Sequence, residues 1–379
     1  MVTLRQMASM VIVFLMGSSS LFLLAGKAER DAWMAVALGV VAGFAVISLV
    51  TLQIQRLEPS LNLMEIFKLY FGKIIGFVIG FIYVLYFMYK CTRNVREFAD
   101  LSIMFLLSDT PLSVLMLLIC LIGCYAVMGG PAVFFRMAEV LLPILLLIYF
   151  LIYILLIGTG TVDLGRLLPL LEKGFKPVWD AAIPEIISFP FGEMVLFLMF
   201  WRYVQSSNFN EVIQMTLKGY LFAGAFITVM NVVIIASLGP LAGWSTVPLL
   251  QATTFVALGD VFERFDPFIA LLFFTAVYIK LTAYYLGASL ALAYLLGISL
   301  RIAAIPVGIG IYAGSFWFKS YMHQVNVGFE QNIKYQFPIF QMVIPVLLLI
   351  VMLLRSGVRS SSKQGQQSQP VSEDSHHAN

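Results

Sequence analysis

The residues of this 379-residue chain that could do chemistry lie inside segments apolar enough to cross a bilayer. The stretch FPFGE at 189–193 places a carboxylate, Glu193, in one such segment, and Lys280 is the basic residue placed most firmly in another. An ionisable group at mid-membrane costs about 2.5–3.5 kcal/mol on insertion scales, so it normally faces a cavity or a partner. Glu193 could hold a ligand ammonium, exchange protons or pair with a cation. A Glu193–Lys280 pair, direct or through water, is the hypothesis that these two positions suggest.

The helix that carries Glu193 should be broken. Pro190 lacks an N–H and clashes with the preceding turn, and Gly192 lowers the cost of unusual dihedrals beside it. The first apolar segment has a similar interruption, with Gly17 followed by three serines at mid-depth whose hydroxyls compete for the backbone. Interruptions at corresponding positions of two halves of a chain are typical of a transporter binding site.

Backbone N–H and C=O groups that an interruption leaves without hydrogen bonds need other partners inside a bilayer, and a small polar ligand can be such a partner. A half-helix N-terminus favours a carboxylate, while hydroxyls and carbonyls can receive an ammonium, so an α-amino acid fits both demands. The alternative interpretation is a structural proline kink. Tyrosines at helical spacing are more often packing than site, and three of them complete the candidate set. The candidate ligand-binding residues are Gly17, Ser18, Ser19, Ser20, Phe189, Pro190, Phe191, Gly192, Glu193, Tyr86, Tyr89 and Tyr284.

The composition indicates the class of fold that positions these residues. Hydrophobic residues make up 61% of the chain, charged residues 11%, and the mean hydropathy is +0.95. Since a soluble domain carries about a quarter charged residues, the sequence predicts an all-α polytopic membrane protein embedded in a lipid bilayer. A net charge of +3 is too small to favour nucleic acid as a partner. The cysteines and histidines have no metal-ligand spacing, and no nucleophile–base pair or nucleotide loop is evident, so we expect no enzyme, cofactor or metal.

About ten segments are long enough to span, and the interruptions in the first and sixth predict two five-helix halves. We expect a transmembrane domain at 1–355, with inverted repeats at about 5–160 and 180–355, and a disordered polar tail at 356–379. Two short helices that do not span are expected from Asn62 and from Ser245. Discounting long loops, the distribution of basic residues favours cytoplasmic N- and C-termini. The spans are predicted near 6–25, 32–54, 73–106, 111–128, 138–158, 184–203, 217–238, 267–294, 300–318 and 337–354.

An ordered set of short motifs up to about Leu354 resembles the endospore germination permeases, the B-type subunits of nutrient germinant receptors. The motifs are DAW at 31–33, FGK at 71–73, REFA at 96–99, TPLSV at 110–114, RMAEVLLP at 136–143, LLPLLEKG at 167–174 and FPFGE at 189–193.

The resemblance implies the amino acid–polyamine–organocation superfamily and the LeuT-type 5+5 inverted repeat with helices 1 and 6 broken. It also implies a location in the spore inner membrane, an A-type membrane subunit and a C-type lipoprotein as partners, and a germinant that is often an amino acid. The chain departs from the family in the serine run after Gly17 and in AERDAW, where members often carry a glycine before DAW.

Two functions therefore stay open. The first is a germinant-receptor subunit that binds a small nutrient at mid-membrane and signals germination. The alternative is a secondary transporter of amino acids, coupled to protons rather than sodium. A sodium site between spans one and eight would need a cage of oxygens, where Lys280 would bring competing positive charge.

Overall fold

The computed structural model describes residues 1–254 and 266–367, without the side chains of residues 18, 266–267 and 356–367. Within this part the chain is almost entirely helical. Its α-helices are α1 (Leu4–Met16), α2 (Ala32–Val46), α3 (Leu52–Leu57), α4 (Leu63–Phe71), α5 (Lys73–Phe105), α6 (Leu112–Met128), α7 (Pro131–Gly158), α8 (Lys176–Ala181), α9 (Phe209–Leu238), α10 (Pro248–Thr254), α11 (Asp266–Leu296), α12 (Leu300–Ser315), α13 (Tyr321–Gln331) and α14 (Ile344–Gln367).

Shorter helical segments of other types join or extend these helices. The 3₁₀ segments are Ser18–Ser20, Gly26–Asp31, Leu164–Leu167, Phe191–Met199, Trp201–Tyr203 and Gly239–Gly243, and the π-helical segments are Ile47–Thr51, Ala182–Ile186 and Asn332–Val343.

Seven of these helical stretches are long and apolar enough to cross a membrane, by length and composition. They are Gly26–Leu57, Lys73–Phe105, Pro131–Gly158, Lys176–Met199, Phe209–Gly243, Phe268–Leu296 and Tyr321–Arg355. Three shorter apolar helices, α1, α6 and α12, occupy the places of the first, fourth and ninth predicted spans. The helical membrane fold is therefore as predicted, and the count of ten crossings stays a prediction.

The two stretches that carry the charged candidates are the most enclosed. The apolar windows of Lys176–Met199 and Phe268–Leu296 are 72% buried, against 28% for Pro131–Gly158 and 22% for Tyr321–Arg355. Helix α11 packs along α5, and α1 packs against α7, α9 and α11. Glu193 and Lys280 are thus held in the interior of the bundle, and the outer helices face the surroundings with apolar side chains.

Small residues let the helices approach closely. A Cβ on Gly43 in α2 would lie 2.8 Å from the Cβ of Phe191, at the break in the sixth span. A Cβ on Gly76 in α5 would lie 2.6 Å from the carbonyl oxygen of Phe67 in α4. Gly72 differs: it has a φ of +85° and nothing within 4 Å, so it makes the turn between α4 and α5 and does not pack.

Short helices are present near both predicted positions, and α4 begins where expected. Helix α4 starts with a capping box in which Oδ1 of Asn62 accepts from the Glu65 amide at 3.0 Å and Oε2 of Glu65 accepts from the Asn62 amide at 2.7 Å. Helix α10 begins shortly after Ser245, and the remainder of that predicted helix, 255–265, lies outside the described residues.

The C-terminal helix runs past the predicted boundary at residue 355. Helix α14 reaches Gln367, because a helix already formed by the last apolar segment can add backbone hydrogen bonds through arginine, lysine and glutamine, which are favourable helix residues. The polar composition did not reveal this extension. Residues 368–379 lie outside the described residues, and disorder there stays a prediction.

Candidate functional site

The first span is interrupted at Gly17, as predicted. Helix α1 ends at Met16, and Gly17 leaves helical geometry with φ 13° and ψ −132°. The Ser20 hydroxyl lies 3.1 Å from the carbonyl oxygen of Met16 and 3.3 Å from that of Gly17, and it also contacts the hydroxyl of Tyr149. Ser20 therefore satisfies carbonyl groups that the interruption frees, and its predicted contact with a ligand stays a prediction.

The chain beyond this interruption is held by a residue that the sequence did not single out. Oδ1 of Asn231, a fully buried residue in α9, accepts a hydrogen bond from the amide of Leu24 at 3.1 Å. Ser19 is also fully buried, and among the described residues its hydroxyl has no hydrogen-bond partner. The Ser18 side chain lies outside the described residues.

The sixth span is interrupted at the predicted place. The π-helical segment at 182–186 leads into a turn at Phe189 and Pro190, after which the chain continues as the 3₁₀ segment Phe191–Met199. Gly192 allows close contact there, because a Cβ on it would lie 2.9 Å from the carbonyl oxygen of Ile187. The segment 191–199 has Glu193 in its first turn, so this break sets the position of the carboxylate.

Glu193 lies between two lysines in the interior of the bundle. Oε1 of Glu193 is 3.0 Å from Nζ of Lys90, and Oε2 is 2.8 Å from Nζ of Lys280. The side chains of Lys90, Glu193 and Lys280 are 3%, 2% and 1% exposed. The structure thus brings Glu193 and Lys280 together, as the two sequence positions suggested, and adds a second cation.

Lys90 is a site residue that sequence reasoning missed. It is one of the basic residues that could lie either at the outer face or within the long third span, which left it out of the candidate set, whereas it lies inside α5 and is buried. Nζ of Lys90 also donates to Oδ1 of Asn332 at 2.9 Å, and Nδ2 of Asn332 donates to the hydroxyl of Ser188 at 3.0 Å. A polar network therefore links the third span, the sixth span and the segment that leads into the tenth span around Glu193.

A cavity of about 320 Å³ reaches this charge cluster. Lys90, Glu193 and Lys280 lie on its wall, and its rim includes Trp244 and Met322, which are 89% and 58% exposed. The rim residues follow the seventh span and precede the tenth, so the cavity opens at the face that also carries the 159–174 loop.

Of the other predicted ligand residues, Phe189 lines the cavity, and its ring centroid is 4.0 Å from Nζ of Lys280. A Cβ on Gly17 would lie 3.6 Å from Cδ of Lys280, which brings the first interruption beside the same lysine. Pro190 is buried at the break and does not line this cavity. Phe191 turns away to pack on Tyr220, with ring centroids 5.1 Å apart.

The three candidate tyrosines do not line the cavity. The Tyr86 hydroxyl accepts from Nε2 of Gln341 at 2.9 Å, and its ring is stacked on another ring of the tenth span. The Tyr89 hydroxyl donates to Oε1 of Gln331 at 3.1 Å. Tyr284 is buried against Phe14, with ring centroids 5.7 Å apart. The hydroxyl contacts of Tyr86 and Tyr89 favour the packing interpretation that the helical spacing left open, whereas the buried Tyr284 hydroxyl has no hydrogen-bond partner among the described residues.

The opposite end of the bundle, where the N-terminus lies, is closed below the cluster. The Val2 amide donates to the carbonyl of Tyr203 at 3.0 Å, and the Gln205 amide donates to the carbonyl of Val2 at 2.8 Å. Arg202 forms an ion pair with Glu65 of α4. The chain that follows Glu193 therefore contacts the N-terminus through Tyr203 and helix α4 through Arg202 at this face.

The sequence is similar to bacterial spore germination proteins. Residues 1–325 match the family described as Spore germination protein. Spore germination protein KB of Bacillus subtilis (strain 168) is 28% identical over 365 residues, which cover 96% of this chain and 97% of that protein. Spore germination protein A2 of the same organism is 25% identical over 290 residues, which cover 76% of this chain and 77% of that protein.

The fold is similar to that of a solved transporter. MHP1, a nucleobase-cation-symport-1 family transporter in a closed conformation with bromovinylhydantoin bound, gives a TM-score of 0.58 at 14% identity and covers 88% of this chain and 76% of its own. This likeness bears on the fold alone: the chain has the LeuT-type transporter fold that the resemblance implied.

Proposed function

The chain belongs to the spore germination protein family, and on that basis we propose that it is an integral-membrane subunit of a spore germinant receptor. In this proposal it binds a small nutrient, an amino acid, at mid-membrane and signals germination. The receptor domain spans residues 1–355, with inverted repeats at about 5–160 and 180–355.

The observation that carries the proposal is the buried Lys90–Glu193–Lys280 cluster at the inner end of the cavity. A volume of about 320 Å³ suits a small ligand, since known ligand pockets begin at about 300 Å³. Buried charges of both signs can receive the two charged ends of an amino acid. Broken helices in the first and sixth spans place these groups where backbone can move with them.

Signalling would follow from a difference in ligand affinity between two arrangements of the bundle. The cavity opens at one face while Val2, Glu65 and Arg202 close the other, so the described arrangement is one of two that a LeuT-type bundle can adopt. A ligand that binds one arrangement better shifts the population toward it. A coupling of about 1–3 kcal/mol is typical of such systems.

We further propose that the partners are an A-type membrane subunit and a C-type lipoprotein, assembled in the spore inner membrane with both termini cytoplasmic. The family membership and the relatives' spore germination names support this assembly. Affinity purification from solubilised spore membranes should recover one protein of each type. Recovery of the chain alone under conditions that preserve other membrane complexes would argue against the assembly.

The experiment that tests the function uses the purified full chain in proteoliposomes, with labelled amino acids and imposed proton or sodium gradients. We expect saturable binding of at least one amino acid without accumulation, and weaker binding by Glu193→Gln. Lys334→Gln is the matched control, because it removes a charge whose side chain is 59% exposed on the segment that follows α13. The absence of any binding across the panel would contradict the receptor proposal.

A secondary transporter is the second candidate, favoured by the likeness to MHP1 and by a cavity open to one face only. Gradient-driven accumulation, lost in Glu193→Gln, would establish it. Proton coupling is the expected form, because Lys280 packs against Gly17, where a sodium ion between spans one and eight would need oxygen ligands. Accumulation driven by sodium alone would contradict that coupling.

A further inference from the structure

The two lysines that flank Glu193 are held very differently. Nζ of Lys90 donates to Glu193 at 3.0 Å and to Asn332 at 2.9 Å, and Asn332 is itself held by Ser188. Lys90 is thus tied to side chains from two other spans. Its ammonium is already engaged, so it fixes Oε1 of Glu193 and joins the spans.

Lys280 has far fewer constraints. Its Nζ lies 2.8 Å from Oε2 of Glu193, yet among the described residues neither atom takes part in a hydrogen bond of good geometry. Its other close neighbours are the faces of two aromatic rings, Phe189 at 4.0 Å and Phe14 at 5.6 Å. A buried ammonium and a buried carboxylate oxygen that lack hydrogen bonds are costly to keep, and both residues lie on the wall of the cavity.

We propose that Lys280 and Oε2 of Glu193 bind the two charged ends of the ligand. Lys280 binds the carboxylate of the ligand, and Glu193 binds its ammonium. This rests on the proposed function and names the ligand class: a zwitterion with a free carboxylate and a free amine. On binding, one poorly oriented ion pair is replaced by two charge-assisted contacts, while Lys90 keeps Oε1 in place. No net charge enters the buried cluster, because a zwitterion carries none.

The assignment makes Lys280 a specificity-determining residue and Lys90 a positioning residue. An amino acid amide lacks the anionic end, and a carboxylic acid of the same carbon skeleton lacks the cationic end. We expect the wild-type chain to bind the amino acid more tightly than either analogue by about tenfold to a hundredfold, the range of one hydrogen bond to a charged group. Lys280→Gln should largely abolish the preference over the amide. Lys90→Gln should weaken the binding of the amino acid and of its amide by the same factor, so the preference for the amino acid over the amide should remain.

The test is equilibrium binding to the full chain in nanodiscs, with the best-bound amino acid of the panel, its amide and its des-amino acid as probes. Lys280→Arg retains the positive charge and should recover preference over the amide. A Lys280→Gln chain that keeps the wild-type preference overturns the inference and leaves the proposed function intact. If Lys280→Gln binds no probe, the binding of Lys280→Arg is the deciding measurement. Recovered amino acid binding by Lys280→Arg supports the assignment of Lys280 to the ligand carboxylate, and no recovery overturns it. A wild-type chain that binds none of the probes contradicts the proposed function itself.

Discussion

Replacing Glu193 with glutamine should destabilise the chain, because it leaves two buried ammonium groups without a counter-ion. Lys90 and Lys280, with side chains 3% and 1% exposed, contact the carboxylate at 3.0 and 2.8 Å. The three side chains sum to one positive charge, and the substitution raises the sum to two. Removing one partner of a buried pair costs about 3–5 kcal/mol, which is about a hundredfold to several thousandfold in the unfolding equilibrium.

The assay is unfolding of the ligand-free chain in detergent, followed by tryptophan fluorescence. Glu193→Gln/Lys280→Gln restores the cluster to one positive charge and should recover part of the loss, with a coupling free energy of about 0.5–3 kcal/mol. Lys334→Gln, which acts on an exposed lysine, should unfold with the wild type.

Two results would refute this reasoning. If Glu193→Gln unfolds at the same denaturant concentration as the wild type, the carboxylate does not compensate the buried lysines. If the double variant is no more stable than the single one, Lys280 is not the charge left uncompensated. The exchange Glu193→Lys/Lys280→Glu gives an independent check, since partners should tolerate the exchange better than either single change.

Three further predictions concern the surroundings of the site. Gly43→Ala should lower the free energy of unfolding by about 1–3 kcal/mol, because the added Cβ would meet a side chain of the sixth span. Gly158→Ala is the control: a Cβ there would have nothing within 4 Å, so this change should be neutral or slightly stabilising in the same unfolding assay. Asn231→Leu should lower the free energy of unfolding by about 1–3 kcal/mol, because it leaves a buried backbone amide of the first span without a hydrogen-bond acceptor. Glu65→Gln should weaken the ion pair at the N-terminal face, so hydrogen exchange of the amides that pair with Val2 should accelerate. Unchanged exchange would show that this contact does not help to close the face.

The two interruptions could be predicted from the sequence because their causes are local. Pro190 removes a hydrogen-bond donor wherever its helix packs, and a glycine followed by serines weakens any helix around Gly17. The position of Glu193 in an apolar segment likewise requires a cavity or a partner, however the other helices are arranged. These features depend on a few consecutive residues and on the cost of polar groups in lipid.

The partners of these residues could not be predicted, because they depend on how distant segments meet. Lys90 and Asn332 are 242 positions apart, and a π-helical segment sets the position of Asn332. Lys90 lies in the middle of the predicted third span, but the neighbouring sequence does not show which distant side chains it contacts. For Ser20 the sequence left two possible uses of the hydroxyl, and in the structure it contacts the carbonyls of Met16 and Gly17 that the break frees.

The buried pair also has a consequence for how the chain enters the membrane. Lys90 is synthesised 103 residues before Glu193, an interval of about 5–20 s at about 5–20 residues per second. Throughout that interval the third span carries its lysine without the counter-ion, at an insertion cost of about 2.5–3.5 kcal/mol. We therefore expect the third span to stay at the translocon or with an insertase until the sixth span arrives, so that the order of synthesis becomes a determinant of assembly.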